Sequence, residues 1–145
     1  GGAKGPNAVL PAADTVGAAA TQAVSNVSGI TVLKTYVGTK AGKVVGAAAE
    51  AKAKGYDGDV TVLVGVSADG TITGMQVTEC TDSLGTMITT PAFAQQFIGK
   101  KADAALEIGK DITAVTGATH SSTGATQLVK ATADALVRLL AGGNL

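Results

Sequence analysis

Residues 59–79 constrain the fold most, because their pattern predicts two strands joined by a tight turn. Residues 59–66 and 71–79 are both rich in Val, Ile and Thr, the β-branched residues that favour pleated structure. Ala68-Asp69-Gly70 lies between them, and glycine readily accepts the positive φ that tight hairpin turns need. The pattern predicts an antiparallel hairpin, in which Gly74 permits a bulge or a close backbone approach.

A second strand pair is predicted upstream of this hairpin. Residues 30–37 are β-branched and aromatic, and residues 42–50 follow as their antiparallel partner. Residues 12–27 carry small apolar side chains at helical spacing, which predicts a weak helix there.

Two further helices are predicted downstream. Pro91 suits the first position of a short helix over residues 92–98, in which Phe93 and Phe97 share the buried face. The final helix follows a loop at residues 109–121. Its apolar stripe comprises Leu128, Ala131, Ala135 and Leu139, widened by Leu136 and Leu140, and Gly142-Gly143 ends it. Together these elements predict an α+β fold, in which a small antiparallel sheet packs with helices.

Composition excludes several classes of function. The chain has 145 residues, which suits one domain, and 11 basic against 11 acidic residues leave no net charge for a nucleic-acid partner. One cysteine and one histidine exclude cysteine-rich and multi-histidine metal sites, so no metal is expected. No apolar run reaches the length of about 18 residues that a membrane span needs.

Chemistry is concentrated in residues 113–122, which are dense in hydroxyls and small residues. Gly117 and Ala118 would let backbone amides approach a ligand closely. The segment precedes a helix N-terminus, where unpaired amides and the helix dipole favour anions such as phosphate. The alternative is that Ser121, Ser122 or Thr123 only caps the final helix.

The same segment resembles the flavin-attachment motif of the FMN-binding domain family. That motif reads Asp, two residues, Ser or Thr, then Gly-Ala and Thr or Ser, and its last hydroxyl is joined to the FMN phosphate through a phosphoester. Thr116-Gly117-Ala118-Thr119 matches its second half. The family includes the G component of the Rnf electron-transport complex and the C component of the sodium-pumping NADH:quinone reductase. The resemblance implies FMN as the cofactor and Thr119 as its attachment point.

Further segments resemble the family in the same order along the chain. Gly55-Tyr56-Asp57-Gly58 and the hairpin after it are similar to a family block, as is the stretch from Phe93 to Lys100. Residues 79–86 are similar to its Glu-x-x-Glu-Thr-Pro-Gly-Leu-Gly loop, and residues 7–11 to the Leu-Pro stretch after the membrane anchor of the Rnf G component. The resemblance implies cofactor-binding roles for Thr116, Gly117, Ala118, Thr119, His120, Ser121 and Ser122, and for Thr81, Leu84 and Gly85 of the second loop.

One departure from the motif bears on covalent attachment. Thr113 stands where the family has Asp, and Asp111 lies two residues earlier. In the family that Asp is part of what the flavin transferase recognises, so noncovalent FMN binding stays open beside the phosphoester. A second Thr-Gly-Ala-Thr ends at Thr126, which is predicted to pack or face solvent inside the final helix.

The resemblance implies a flavin-carrying electron-transfer domain of a membrane ion-translocating oxidoreductase complex, rather than a stand-alone enzyme. Its partners would be the other subunits of the redox complex and a flavin transferase, on the extracytoplasmic side of a bacterial plasma membrane. Residues 1–28 would be an N-terminal segment after a membrane anchor removed from this chain, and residues 29–145 the FMN-binding domain. Two alternatives remain: a noncovalent FMN-binding, reductase-like domain and a non-redox extracytoplasmic scaffold module.

Overall fold

An antiparallel sheet of five strands forms the centre of the computed structural model, which describes residues 5–19, 30–54, 59–80 and 91–142. Each strand pairs with its neighbours in chain order, so the sheet is a simple meander. The strands are β1 (Thr15–Ala18), β2 (Ile30–Lys40), β3 (Lys43–Lys54), β4 (Asp59–Ser67) and β5 (Ile72–Cys80). The helices are α1 (Pro6–Val9), α2 (Pro91–Gln95) and α3 (Thr119–Gly142). The predicted α+β class and the two predicted strand pairs are confirmed.

The β4–β5 hairpin turns at Asp69 and Gly70, as predicted. Gly70 has φ +88°, and the Asp69 carboxylate accepts hydrogen bonds from the Ser67 hydroxyl and, at 3.1 Å, from the Thr71 amide. These bonds favour the charged carboxylate and lower the pKa of Asp69 to about 2. Asp69 therefore stabilises the turn through these hydrogen bonds.

The N-terminal segment lies against the backbone of this hairpin. A Cβ atom on Gly65 would lie 2.1 Å from the Val9 carbonyl oxygen, and one on Gly74 would lie 2.4 Å from the Val9 Cα. The Thr73 hydroxyl donates to the same carbonyl at 2.6 Å. The close approach predicted for Gly74 is confirmed, and its partner is α1.

The weak helix predicted over residues 12–27 is wrong where the structure describes it. Thr15–Ala18 form β1, which pairs with β2 along Thr15–Thr39 to Ala18–Tyr36. Backbone bonds from the Asp14 amide to the Thr39 carbonyl and from the Ala19 amide to the Thr35 carbonyl, both 2.9 Å, extend the pairing. Small side chains give little helix stability by themselves, whereas the edge of β2 offers ready partners for the backbone. Residues 20–27 lie outside the described residues.

The main core lies between α3 and one face of the sheet. Val60, Val62, Val64 and Val66 of β4 are all at most 1% exposed, and β3 presents buried alanines that let α3 approach closely. Leu128, Ala135, Leu136 and Leu139 of the predicted stripe are buried. Phe93 and Phe97 are also buried and meet edge to face, with ring centroids 5.4 Å apart. The shared buried face predicted for them is confirmed, although α2 itself begins at Pro91 and ends at Gln95, followed by turns.

Candidate functional site

The loop before α3 is shaped by a turn at Val115–Ala118. The Ala118 amide donates to the Val115 carbonyl at 2.9 Å, and Gly117 has φ +84°, a conformation that favours glycine. The first bond of α3 runs from the Ser122 amide to the Ala118 carbonyl at 2.9 Å. The helix therefore begins at Thr119, immediately after the turn.

Ser122 ties the helix to this loop. Its side chain is fully buried, and its hydroxyl oxygen accepts a hydrogen bond from the Val115 amide at 3.0 Å. The prediction that Ser121, Ser122 or Thr123 caps the helix is wrong, because α3 has already begun at Thr119. Thr123 instead donates its hydroxyl to the Thr119 carbonyl at 2.8 Å, a bond back to the preceding turn of the helix.

The structure brings five of the predicted site residues together at this point. Thr116, Gly117 and Thr119 are exposed on the turn and the first residue of the helix, while Ala118 and Ser122 are buried beneath them. His120 and Ser121 belong to the first turn of α3, but their side chains lie outside what the structure describes. The predicted residues of the second loop, Thr81, Leu84 and Gly85, also lie outside the described residues.

The start of α3 suits an anion. A helix leaves its first amides without carbonyl partners of its own, and its dipole places partial positive charge at this end. The backbone amides of residues 119–121 precede the first intrahelical bond, and residues 119–122 include no acidic side chain. This donor set fits a phosphate group, and the exposed Thr119 hydroxyl lies beside it in sequence.

Thr126 has a packing role. Its side chain is 1% exposed, and its hydroxyl donates to the Ser122 carbonyl at 2.7 Å inside α3. The prediction that the second Thr-Gly-Ala-Thr ends inside the helix is confirmed. Of Thr119 and Thr126, the last residues of the two Thr-Gly-Ala-Thr sequences, only Thr119 is exposed.

Asp111 stabilises the chain just upstream of the site. Its two carboxylate oxygens accept hydrogen bonds from the Glu107 amide at 2.8 Å and the Leu106 amide at 2.9 Å. These bonds favour the ionised form and lower the pKa of Asp111 below its ordinary value. Leu106 has φ +46°, a left-handed conformation that is costly for leucine. The carboxylate therefore holds a strained turn.

Replacing Asp111 by Asn should lower the urea midpoint of unfolding at neutral pH. Asparagine keeps one acceptor oxygen, but its NH2 group would face a backbone amide donor. Because the folded-state pKa of Asp111 is depressed, its stabilising effect is present above the unfolded value of about 3.9 and is lost as pH falls below it. The gap between the wild-type and variant midpoints should therefore close on acidification. A gap that stays constant down to about pH 2 would exclude the ionised carboxylate as its cause.

A charged groove of about 320 Å³ lies elsewhere on the molecule. It lies between the β4–β5 turn, the segment after α2 and the C-terminal half of α3, and its lining includes Asp69, Lys101, Asp134 and Arg138. At about 1.5 Å per helical residue, Asp134 lies roughly 22 Å along α3 from Thr119. The groove is therefore separate from the loop that carries the motif.

The loop before α3 lies in a part of the chain that matches a known protein family. The model of the FMN-binding domain family matches residues 55–134, more than half of the chain, and this span includes the Thr116–Thr119 motif. The chain belongs to the FMN-binding domain family. The family's ligand confirms FMN as the predicted cofactor, and the exposed hydroxyls and helix N-terminus fit its phosphate.

Relatives of this FMN-binding domain are components of ion-translocating complexes. It is 42% identical over 86 residues to the G component of the ion-translocating oxidoreductase complex of Methanosarcina acetivorans, covering 56% of this chain and 46% of the relative. It is 35% identical over 100 residues to the G component of the Na(+)-translocating ferredoxin:NAD(+) oxidoreductase complex of Acetobacterium woodii, covering 62% and 48%. The chain thus spans about half the length of the curated relatives it matches.

The fold of the FMN-binding domain also has a solved counterpart. The crystal structure of Shewanella oneidensis NqrC superposes with a TM-score of 0.60 at 20% identity, covering 75% of this chain and 61% of NqrC. This likeness confirms the α+β arrangement. Among the described residues, no helix is long and apolar enough to cross a membrane.

Proposed function

We propose that this domain carries FMN at the Thr116–Thr119 motif and that the FMN phosphate is joined to the Thr119 hydroxyl. The domain transfers electrons within a membrane ion-translocating oxidoreductase complex. One observation carries the proposal most directly. Thr119 is exposed, is the first residue of a 24-residue helix, and ends the Thr-Gly-Ala-Thr sequence that matches the family motif. A hydroxyl in this position lies beside amides that suit the phosphate to which it would be joined.

The residues of the site would contribute to FMN binding in different ways. The positive φ of Gly117 exposes Thr116 and leads directly into α3, and the buried Ser122 hydroxyl fixes Val115 behind the turn. The amides of residues 119–121 would bind phosphate oxygens, because the helix leaves them without carbonyl partners of its own. Bound FMN supplies the redox chemistry, and the protein sets its position and surroundings.

Covalent attachment needs an activated phosphate, because an ester does not form readily from FMN and a hydroxyl in water. The donor would be a flavin dinucleotide such as FAD, used by a flavin transferase. The Thr119 hydroxyl oxygen bonds to the flavin-side phosphorus, the anhydride P–O bond breaks, AMP leaves, and the hydroxyl proton passes to solvent. The protein gains the mass of FMN less one water.

The relatives suggest the setting of this electron transfer. Their names describe ion-translocating and ferredoxin:NAD(+) oxidoreductase complexes, so the partners proposed for this domain are the redox subunits of such a complex. We place it on the extracytoplasmic side of the membrane, as the family resemblance implies. An ester through the phosphate would keep the cofactor bound there, where free FMN is scarce.

The first test is to express the chain with and without a flavin transferase and to measure its intact mass after denaturation. We expect the mass of FMN less one water to be gained only when the transferase is present, and yellow colour to remain with the denatured protein. Flavin that binds but leaves on denaturation would instead support the noncovalent alternative, which Thr113 favours because it replaces the motif Asp. No flavin under either condition would support the scaffold alternative and overturn the proposal.

A further inference from the structure

The side-chain amide of Gln96 forms hydrogen bonds with both the amide and the carbonyl of Thr113, and we call this pair of bonds the clamp. The Thr113 amide donates to Gln96 Oε1 at 2.7 Å, and Gln96 Nε2 donates to the Thr113 carbonyl oxygen at 3.0 Å. Thr113 therefore receives from one side chain the pair of bonds that a neighbouring strand would otherwise supply. Because the backbone offers one donor and one acceptor, only this orientation of the Gln96 amide satisfies both.

The backbone at Gln96 is held by buried neighbours. Gln96 follows α2 directly, and its own amide donates to the Phe93 carbonyl at 3.3 Å. Phe93 and Phe97 lie on either side of it in the sequence and are both buried in edge-to-face contact. The Gln96 main chain is thus anchored beside the core, and its side-chain amide holds Thr113 through two hydrogen bonds.

The clamp continues a series of attachments along the loop. Ile112 is 2% exposed and packs into the core, Gln96 holds Thr113, and Ser122 accepts the Val115 amide. The Thr116–Thr119 motif follows immediately, with Thr116, Gly117 and Thr119 exposed. Thr113 is exposed and occupies the motif position where the family has Asp, so its backbone is held while its side chain remains accessible.

We propose that Gln96 is the positioning residue of the flavin-carrying loop: its side-chain amide fixes the backbone at position 113 and so presents Thr119 in the geometry that FMN attachment requires. The inference rests on the proposed function and deepens it. Gln96 acts through Thr113, to whose backbone its side-chain amide is bonded.

Removing the clamp should slow the attachment of FMN while leaving the chain folded. Gln96→Ala deletes both bonds, and Gln96→Glu keeps an acceptor for the Thr113 amide but sets a carboxylate oxygen against the Thr113 carbonyl. Because two hydrogen bonds of ordinary net strength are lost, we expect attachment by the transferase to be roughly tenfold slower. The control is Gln95→Ala, which removes an exposed glutamine one residue earlier and should leave the rate unchanged.

The experiment follows intact mass over time for the full chain with FAD and a flavin transferase, beside urea midpoints and exchange of the Thr113 amide by NMR. The expected result is slower attachment in both Gln96 variants and faster exchange of the Thr113 amide in Gln96→Ala, with urea midpoints that fall only modestly and leave the chain folded. Wild-type attachment rates in Gln96→Ala, or an equal loss in Gln95→Ala, would overturn the inference. So would a loss of rate that merely follows a loss of global stability.

Failure of the proposed function gives a different pattern. If the wild-type chain takes up no covalent flavin but binds FMN, the same variants are compared by FMN affinity. A roughly tenfold weaker affinity in Gln96→Ala supports the clamp, and an equal affinity overturns it. A wild-type chain that neither attaches nor binds FMN overturns both proposals together.

Discussion

Replacing Thr119 by alanine should leave the chain without covalent FMN under conditions in which the wild-type chain gains the mass of FMN less one water. The hydroxyl oxygen is the atom that bonds to phosphorus, so its removal abolishes the reaction rather than slowing it. Thr119 is exposed and its side chain lies outside the core, so the fold should be retained. Intact mass after denaturation measures the loss, and circular dichroism checks the fold.

Three variants separate the acceptor from its surroundings. Thr119→Ser keeps a hydroxyl and should still be modified. Thr116→Ala removes the exposed hydroxyl that opens the motif, so it should be modified more slowly but still gain the flavin mass. Thr123→Ala removes a hydroxyl whose hydrogen bond runs to the Thr119 carbonyl and should be modified as the wild type is. Covalent flavin on the Thr119→Ala chain would show that another residue is the acceptor.

The largest expected effect on stability comes from Gly65→Ala. The new methyl group would lie 2.1 Å from the Val9 carbonyl oxygen, which already accepts the Thr73 hydroxyl. Backbone atoms cannot rotate away as a flexible side chain can, so α1 must shift from the sheet. Overpacking costs about 1–3 kcal/mol, and partial exposure of the buried Val9 and Leu10 adds to it. We expect the free energy of unfolding to fall by about 3 kcal/mol, measured by urea titration.

Gly124→Ala is the matched control for this variant. A Cβ atom at Gly124 meets nothing within 4 Å, and alanine is favoured over glycine inside a helix by up to about 1 kcal/mol. The same chemical change should therefore stabilise the protein at position 124 and destabilise it at position 65. Faster amide exchange over residues 6–13 in Gly65→Ala would locate the damage at α1. An unchanged midpoint would mean that the N-terminal segment does not hold this position in solution.

The hairpin and the aromatic pair were predictable because their signals are local. β-Branched residues on both sides of Asp69-Gly70 encode strand, turn and strand within one short stretch. Phe93 and Phe97 are four residues apart, a spacing that places them on one face. The resemblance to the family likewise depends on short motifs, so FMN and the position of the Thr116–Thr119 motif could be anticipated from sequence.

The start of α3 and the path of the N-terminal segment could not be predicted in the same way. Hydroxyls at residues 121–123 carry a capping signal, yet the Gly117 turn allows the helix to begin at Thr119, which turns the Ser122 hydroxyl toward the Val115 amide. Residues 15–18 have weak helical preference, and the exposed edge of β2 outweighs it by pairing with their backbone.

Local patterns in the chain were enough to specify the α+β class, the β4–β5 hairpin, the Phe93–Phe97 contact and the position of the motif, since each depends on residues close together in sequence. The folded structure was needed to show that Val9 packs on Gly65 and Gly74, that Asp111 holds the strained turn at Leu106, and that Gln96 clamps Thr113. Most of these contacts join groups far apart in sequence, and such bonds carry no periodic signal. They form only when the packed core brings their backbone partners within hydrogen-bonding distance.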